Sequence, residues 1–507
     1  MHTKIKSLGE IEHILAEKKS QGKSVIQCHG VFDLLHPGHI RHFKEAKTRG
    51  DILVVTITPD RFVNKGPGRP AFTERLRLES LAALESIDYV VLNDSPTAVG
   101  AIYSVKPNIY VKGSDYKNPE EDITGKIVDE AEAVKLVGGS LHFTDDIVFS
   151  SSQLINQFID PVAPEIDQFM VGLKKHYSVN QVLDAVEALI TLKVGVVGDA
   201  IIDEYQYVEP LGQSGKGVHM TAVCGQEEIF LGGSLVVARH LAAFTPHVQL
   251  FTALGFDCPY RPIIEGELDA TIQSHFFETK LTQTLVKKRY VLRDGANLSK
   301  LFETYSSNES ILDTAEEKQL LAALKDRAQD LDVLFVADFG NGFIRPYMAN
   351  AISKMPTFLA VNTQINSGNR GYHVITRYGR ADFVSLNEPE IRLAAHNKHH
   401  PLEMIIKKMH HKLKNPKITI TQGVKGVMGF DGKQMQQIPA FATRAVDRVG
   451  AGDSFFALAG LCAAKGYPMQ LMSFIGSLAA ALDVQIVGNR EPVDKISLCK
   501  FVSRLFK

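Results

Sequence analysis

Short apolar runs recur along the chain, and between them lie stretches whose apolar residues fall three and four apart. In the first part the runs are Ser24–Gln27, Ile52–Thr58, Tyr89–Leu92, Ile109–Val111 and Ser140–Phe143. Helical spacing covers Ser7–Lys18, Ile40–Arg49 and Thr73–Leu84. At Lys193 the pattern restarts, with Val194–Val197, Val333–Ala337, Thr357–Val361, Phe383–Ser385 and Ile418–Thr421 as strands, each leading through a loop into a helical run. Such alternation predicts parallel sheets with crossover helices, whose ligands gather at the carboxyl ends of the strands. Tyr205–Phe230 is β-like and rich in glycine, which predicts a small lid sheet. Pro161–Ile190 holds two helical patterns, Glu165–His176 and Val179–Leu189. It is neither Gly/Ser-rich nor of low complexity, so it reads as a helical connector. The expected organisation is α/β throughout: one domain over 1–160, a connector over 161–190 and a second domain over 191–507. No internal repeat shows.

Composition narrows the classes. A chain of 507 residues exceeds one ordinary core. Hydrophobic content of 45% with 22% charged residues is that of a globular protein. The net charge of -1 gives no bulk attraction to nucleic acid or to a membrane surface. No run approaches a membrane span, and the first residues lack the apolar core of a signal peptide. The five cysteines (Cys28, Cys224, Cys258, Cys462, Cys499) contain no CxxC, which fits a reducing cytoplasm and argues against structural zinc. His396, His399, His400, His410 and His411 lie in a polar, Lys-rich region and read as a solvated helix–loop–helix.

The first chemistry-bearing stretch is Cys28–His39, CHGVFDLLHPGH. A strand feeds it, Gly30 marks a turn, and Pro37 suits the first helical position, where its missing N–H is no loss. His36 and His39 share one face of the first helical turn. Free N–H groups and the helix dipole favour an anion there, and two imidazoles beside it can stabilise charge on a phosphorus in flight. The string GVFDLLHPGH resembles the GxFDxxHxGH signature of the cytidylyltransferase-like nucleotidyltransferases. Further along lie Lys65 in NKGPGRP, Glu74-Arg75, Lys112-Gly113-Ser114-Asp115-Tyr116 and Ser150-Ser151-Ser152. Singly, Lys65 also fits a loop lysine, Arg75 half of a helix-surface ion pair and the serines a helix cap. In order, over Ser24–Phe158, they resemble the nucleotidyltransferase half of the bifunctional heptose-phosphate kinase/nucleotidyltransferases. That resemblance implies that His36 and His39 hold the α-phosphate. It implies that Lys65 and Arg75 neutralise phosphates, that Ser151 and Ser152 cap them, and that Gly30, Phe32, Asp33 and Lys112 belong to the nucleotide site. The RTxGxSTS common at the last position reads DIVFSSS here.

In the second half the decisive stretch is Asp447–Ala457, DRVGAGDSFFA. Gly450, Ala451 and Gly452 place small residues at a helix start, where N–H groups can approach a phosphoryl group. Asp453 can take the proton of an attacking hydroxyl. The string resembles the signature of the ribokinase-like (PfkB) sugar kinases, over about Lys193–Val487. Gly198-Asp199 and Asp203 resemble that family's sugar-binding start, and Gly232-Gly233 its substrate helix. Asn387 and Glu390 in NEPE resemble its magnesium-linked motif, and Thr421, Gly423 and Gly426 its nucleotide loop. By carry-over Asp453 is the base, Gly450, Ala451 and Gly452 form the anion hole, and Glu390 is the metal-linked carboxylate. The helix usually written GGAANVA reads GGSLVVA, so Val236 replaces an asparagine. DYxKG reads DFGNG, with Asn341, and DPK reads NTQ, with Asn362. An apolar wall at Val236 opposite Gln364, Asn366, Asn369 and Arg370 is the expected acceptor pocket, although a solvated loop fits the latter four equally.

Together the resemblances imply an N-terminal Rossmann-like nucleotidyltransferase domain and a C-terminal ribokinase-like αβα domain with a small β lid. The domain order is the reverse of the common heptose enzyme. The implied function is ATP-dependent phosphorylation of a sugar or sugar phosphate, with nucleotidyl transfer from ATP or CTP to a sugar 1-phosphate. Both steps are expected to use Mg²⁺. Expected partners are small sugar phosphates and nucleotides, with no nucleic acid and no membrane. A homodimer is among the expectations. A nucleotidyltransferase fused to a degenerate sugar-binding or regulatory kinase fold, and a pair of ligand sensors, are the competing readings. Intact His36, His39 and Asp453 weigh against the sensors.

Overall fold

The computed structural model describes residues 2–63, 66–113, 126–144, 163–294, 297–306, 312–369, 371–442 and 444–506. The chain packs into two compact units, Met1–Asp167 with Cys499–Lys507, and Gln168–Leu498.

The first unit is built on β1 (Ile5–Lys6), β2 (Val25–Gly30), β3 (Ile52–Ile57), β4 (Tyr89–Leu92), β5 (Ile109–Lys112) and β6 (Ser140–Phe143). They form one sheet in the order β1-β4-β3-β2-β5-β6, parallel at every pair. Ile26, Cys28, Leu53 and Val55 pack with Phe43 and Ala46 of the helix Pro37–Lys47 and Leu81 of the helix Glu74–Ala82. Every residue of β3 is buried, as expected of a strand covered on both faces. The strand order turns back at β2, flanked by β3 and β5, so its carboxyl end is a topological switch point. The histidine string begins there. Pro37 is the first residue of its helix. Ser7 and Glu10 close a capping box that starts the helix Leu8–Ser20.

The connector forms the helices Pro164–Lys174 and Val179–Glu187, the second begun by a Ser178–Gln181 capping box. The second unit then runs through β7 (Val194–Gly198), β8 (Ala200–Gln213), β9 (Met220–Gly233), β10 (Val248–Gly255), β11 (Ile272–Thr279), β12 (Leu285–Asp294) and β13 (Asn297–Tyr305). It continues with β14 (Val333–Asp338), β15 (Phe358–Thr363), β16 (Phe383–Asn387), β17 (Lys417–Thr421), β18 (Val427–Phe430) and β19 (Met435–Ile438). Nine strands make the main sheet, β11-β10-β7-β14-β15-β16-β17-β18-β19, and four make the lid, β13-β12-β8-β9. The main sheet is parallel from β11 to β17 and ends in two antiparallel pairs. Its order turns back at β7, and the chain leaves it there for the lid through Asp199. The helix Ala451–Ala464 is apolar on nearly every face, which is what full burial demands.

The expected strands of both halves are present. Half of the lid is an addition: β12 and β13 were not expected. The reason is visible in β12, LVKKRYVLRD, where Lys287 and Arg289 occupy inward positions that an apolar alternation would require to be hydrophobic.

Candidate functional site

In the first unit the strand-to-helix turn brings His36 and His39 face to face. Their rings stack with centroids 3.9 Å apart and planes at 24°. Ile40 N–H bonds the His36 carbonyl at 3.2 Å, so the N–H groups of Gly38 and His39 precede the first intrahelical bond and point out of the helix start. His36 is buried, and burial lowers its pKa below the ordinary histidine value. A neutral imidazole donates one hydrogen bond at neutral pH and brings no net charge. Phe32 sits in the left-handed region at φ 48°, and its ring meets His39 edge-on at 5.3 Å. A Cβ on Gly30 would lie 3.0 Å from that ring, so glycine permits the phenylalanine to buttress the histidines.

The other expected residues of this unit divide. Asp33 binds the chain itself: its carboxylate accepts from Ala71 N–H and Phe72 N–H at 3.0 Å each and pairs with buried Arg69 at 3.5 Å. Lys112, at the carboxyl end of β5, is buried and pairs with Glu130 at 2.7 Å. Arg75 is exposed and pairs with Glu79 one turn on, at 3.2 Å. Arg77, which the sequence reading passed over, is the buried one. It donates to the carbonyls of Val31, Thr58 and Phe72 and to Asp60, tying the histidine string to β3 and to its own helix start. Lys65, Ser114, Asp115, Tyr116 and Ser150, Ser151 and Ser152 lie outside the described residues.

In the second unit Asp453 stands in the first turn of the helix Ala451–Ala464, behind Gly450 at φ 93°. A Cβ on Gly450 would collide with Asn489 and Asp483, so only glycine makes this turn. Asp453 opens onto a cavity of about 360 Å³ that also meets Asp203, Lys287, Arg289, Gln364 and Glu390. Burial raises its pKa to about 7; the negative charges of Asp203 and Glu390 push the same way and Lys287 opposes them. Gln364 donates to Asp453 at 3.3 Å. Asp203 on β8 is held by Arg289 from β12, and Arg289 also reaches Glu303 at 3.3 Å. Gly232 admits the Asp203 carboxylate, since a Cβ there would lie 2.5 Å from its oxygen, and Gly233 makes the strand-to-helix turn at φ 62°.

Asn387 and Glu390 form a capping box. Glu390 accepts from Asn387 N–H at 2.7 Å and from Ile365 N–H at 3.3 Å, and Glu390 N–H bonds the Asn387 side chain at 2.9 Å. Burial raises Glu390 to a pKa of about 7. A second cavity of about 270 Å³, mostly apolar, is lined by Thr421, Gly423, Gly426, Ala451 and Gly452. It shares Thr421, Arg448 and Gly452 with the first. The expected nucleotide loop and anion hole therefore border one continuous path from an apolar pocket to a carboxylate.

Two expectations need correction. Val236 is buried inside its helix and is not among the residues lining the cavity at Asp453, where Gly233 and Ile201 stand instead. Asn366 and Asn369 do not line it either. Asn366 donates to the Phe339 carbonyl and to Asn341, and Asn369 donates to the carbonyls of Gly340 and Gln364. Their amides hold two loops together, and of the three amides expected to line the pocket only Gln364 does so. Arg370 lies outside the described residues. Lys287 and Arg289 are the site residues that the sequence reading missed; two cations at the alternate positions between buried Leu285 and Val291 were the available signal.

Residues 191–496 match the family model described as pfkB family carbohydrate kinase, and residues 28–163 the one described as cytidylyltransferase-like. The chain is 42% identical over 144 residues to a protein of Citrifermentans bemidjiense named "Bifunctional protein HldE", covering 27% of this chain and 29% of that one. It is 39% identical over 138 residues to a protein of the same name from Aliarcobacter butzleri, again covering 27% and 29%. The matched region thus spans under a third of the length of these relatives. Among solved structures, phosphofructokinase-2 from Escherichia coli superposes with a TM-score of 0.50 at 15% identity, over 62% of this chain and 100% of that one. This likeness shows the ribokinase-like fold of the second unit.

Proposed function

The chain belongs to the pfkB family of carbohydrate kinases, and from that premise we propose a bifunctional sugar-activating enzyme. Residues 191–507 phosphorylate a sugar or sugar phosphate from ATP. Residues 1–160 transfer a nucleotidyl group from ATP or CTP to a sugar 1-phosphate and release pyrophosphate, and 161–190 connect the two. The observation that carries the kinase reading is Asp453, poised at a pKa of about 7 between the Gly450 turn and the acceptor cavity. A base is most effective when its pKa lies near the working pH. Asp203 and Arg289 orient acceptor hydroxyls, and the apolar pocket behind Thr421 takes the base of the nucleotide. For the other half, the stacked His36 and His39 at the switch point of the first sheet support donors for charge growing on a phosphate.

Mg²⁺ fits the second unit. Glu390 is a buried carboxylate without an ion-pair partner among the described residues, and with Asn387 it lines the acceptor cavity. One carboxylate and one amide suit a cation whose other ligands are phosphate and water. When bound, the ion would neutralise phosphate charge.

The substrate in this reading is a heptose-like sugar, supported by the likeness of the first unit to the HldE relatives. The enzyme works in the cytoplasm on small molecules, as a homodimer. No helix among the described residues is long and apolar enough to cross a membrane. The test is a panel of sugar phosphates with each NTP and resolution of phosphorylated from nucleotidylated products. Absence of both product types across the panel sinks the proposal; nucleotidylated product alone leaves the second unit as a binding module.

A further inference from the structure

Arg448 is the one charged side chain shared by the cavity at Asp453 and the apolar cavity beside it, as far as the described residues go. The apolar cavity has no acidic lining residue; its charged residues are Arg444 and Arg448. Both are exposed, and among the described residues neither guanidinium makes a hydrogen bond or an ion pair. The carboxylate next in sequence is committed elsewhere. Asp447 accepts from Lys300 at 2.8 Å, Tyr205 at 2.7 Å, Gly488 N–H at 3.0 Å and Val449 N–H at 3.1 Å. Lys300 and Tyr205 come from the lid strands β13 and β8. Arg448 therefore keeps an uncompensated charge where an apolar pocket opens toward Asp453.

We infer that Arg448 contacts the phosphoryl group being transferred, a role that rests on the kinase reading above. In that step an acceptor hydroxyl oxygen forms a bond to the γ-phosphorus. The bond from that phosphorus to the β,γ-bridging oxygen breaks, with its electron pair leaving on ADP, and the hydroxyl proton passes to Asp453. Charge grows on the bridging oxygen and spreads over the phosphoryl oxygens. The N–H groups at Gly450–Gly452 approach from the helix start, and the planar guanidinium can grip two oxygens at once. Arg444, which lines only the apolar cavity, stands away from the acceptor side.

The test uses the full chain with Arg448→Ala and Arg448→Lys, and compares binding of ATP with binding of adenosine by calorimetry, reading ATP at the site from which adenosine is displaced and apart from the nucleotide site proposed in residues 1–160. Arg448→Ala is expected to weaken ATP roughly tenfold or more, the scale of one charge-assisted contact, with adenosine unchanged and Arg448→Lys intermediate. With heptose 7-phosphate as acceptor, kcat of Arg448→Ala should fall on the order of 10²-fold. Equal ATP affinity in wild type and Arg448→Ala overturns the inference, as does a parallel loss of adenosine and ATP, which would mean a disturbed pocket. If the wild type binds neither ATP nor adenosine, the kinase reading itself falls and Arg448 with it.

Discussion

The two units place their reactive groups by opposite routes. In the first, the histidines come from one short string: β2 ends at Gly30, Phe32 turns the chain at a left-handed φ, Pro37 starts a helix, and His36 meets His39. In the second, the cavity at Asp453 gathers Asp203 from β8, Lys287 and Arg289 from β12, Gln364 from the loop after β15 and Glu390 from a helix start. Local geometry suffices to pair two residues three apart on a helix. Only a folded sheet and its lid bring residues 203, 287 and 453 to one space. The first arrangement buries His36 and holds its pKa below the usual histidine value, and in the second burial, reinforced by neighbouring carboxylates and opposed by Lys287, raises the pKa of Asp453.

The sharpest break between the units is functional independence. Asp453→Asn is expected to lower ATP-dependent phosphorylation by about 10²- to 10⁴-fold, the range of a lost general base, while nucleotidyl transfer persists. Separate assays of ADP and pyrophosphate release on one preparation decide it; joint loss would mean the two halves are coupled. The converse substitutions, His36→Ala and His39→Ala, should lower nucleotidyl transfer by about 10²- to 10³-fold and leave phosphorylation near wild type. Wild-type pyrophosphate release in both variants would remove the pair from the chemistry.

Arg77 tests how local the histidine string really is. Its side chain is fully buried and binds three carbonyls and Asp60. Arg77→Met should destabilise the first unit by about 2–4 kcal/mol, because those acceptors are left buried without a donor. Denaturant unfolding would show this as an early transition, and an unchanged midpoint would mean that the string stands on helix geometry alone.

The smallest effect expected is a difference in pH profile. Asp453 must be ionised to accept a proton, so kcat/KM for phosphorylation should fall about tenfold per pH unit below about 7 and level off above it. His36, whose pKa burial holds below the usual histidine value, is already neutral at pH 7, so nucleotidyl transfer should show no break there. A shared limb near 7 in both assays would contradict the separate environments assigned to the two groups.

Both α/β halves, the strand cores and the glycine turns beside the cavities were legible in the amino-acid sequence alone. Each of these follows from short-range rules: apolar periodicity, glycine at φ values that other residues resist, proline at a helix start. It also placed Gly423, Gly426, Gly450 and Asp453 on the path that the cavities later trace. Tertiary structure alone decided which polar residues face that path. Asn366 and Asn369 looked equal to Gln364, but their amides bond loop carbonyls and only Gln364 reaches Asp453. Val236 suggested an acceptor wall and is helix core, while Arg75 suggested a phosphate ligand and is exposed beside Glu79. Lys287 and Arg289 broke the apolar alternation of β12 because they are buried against carboxylates contributed by other elements. Whether a polar side chain serves a substrate or its own backbone depends on partners far away in sequence, and burial makes satisfying those partners obligatory.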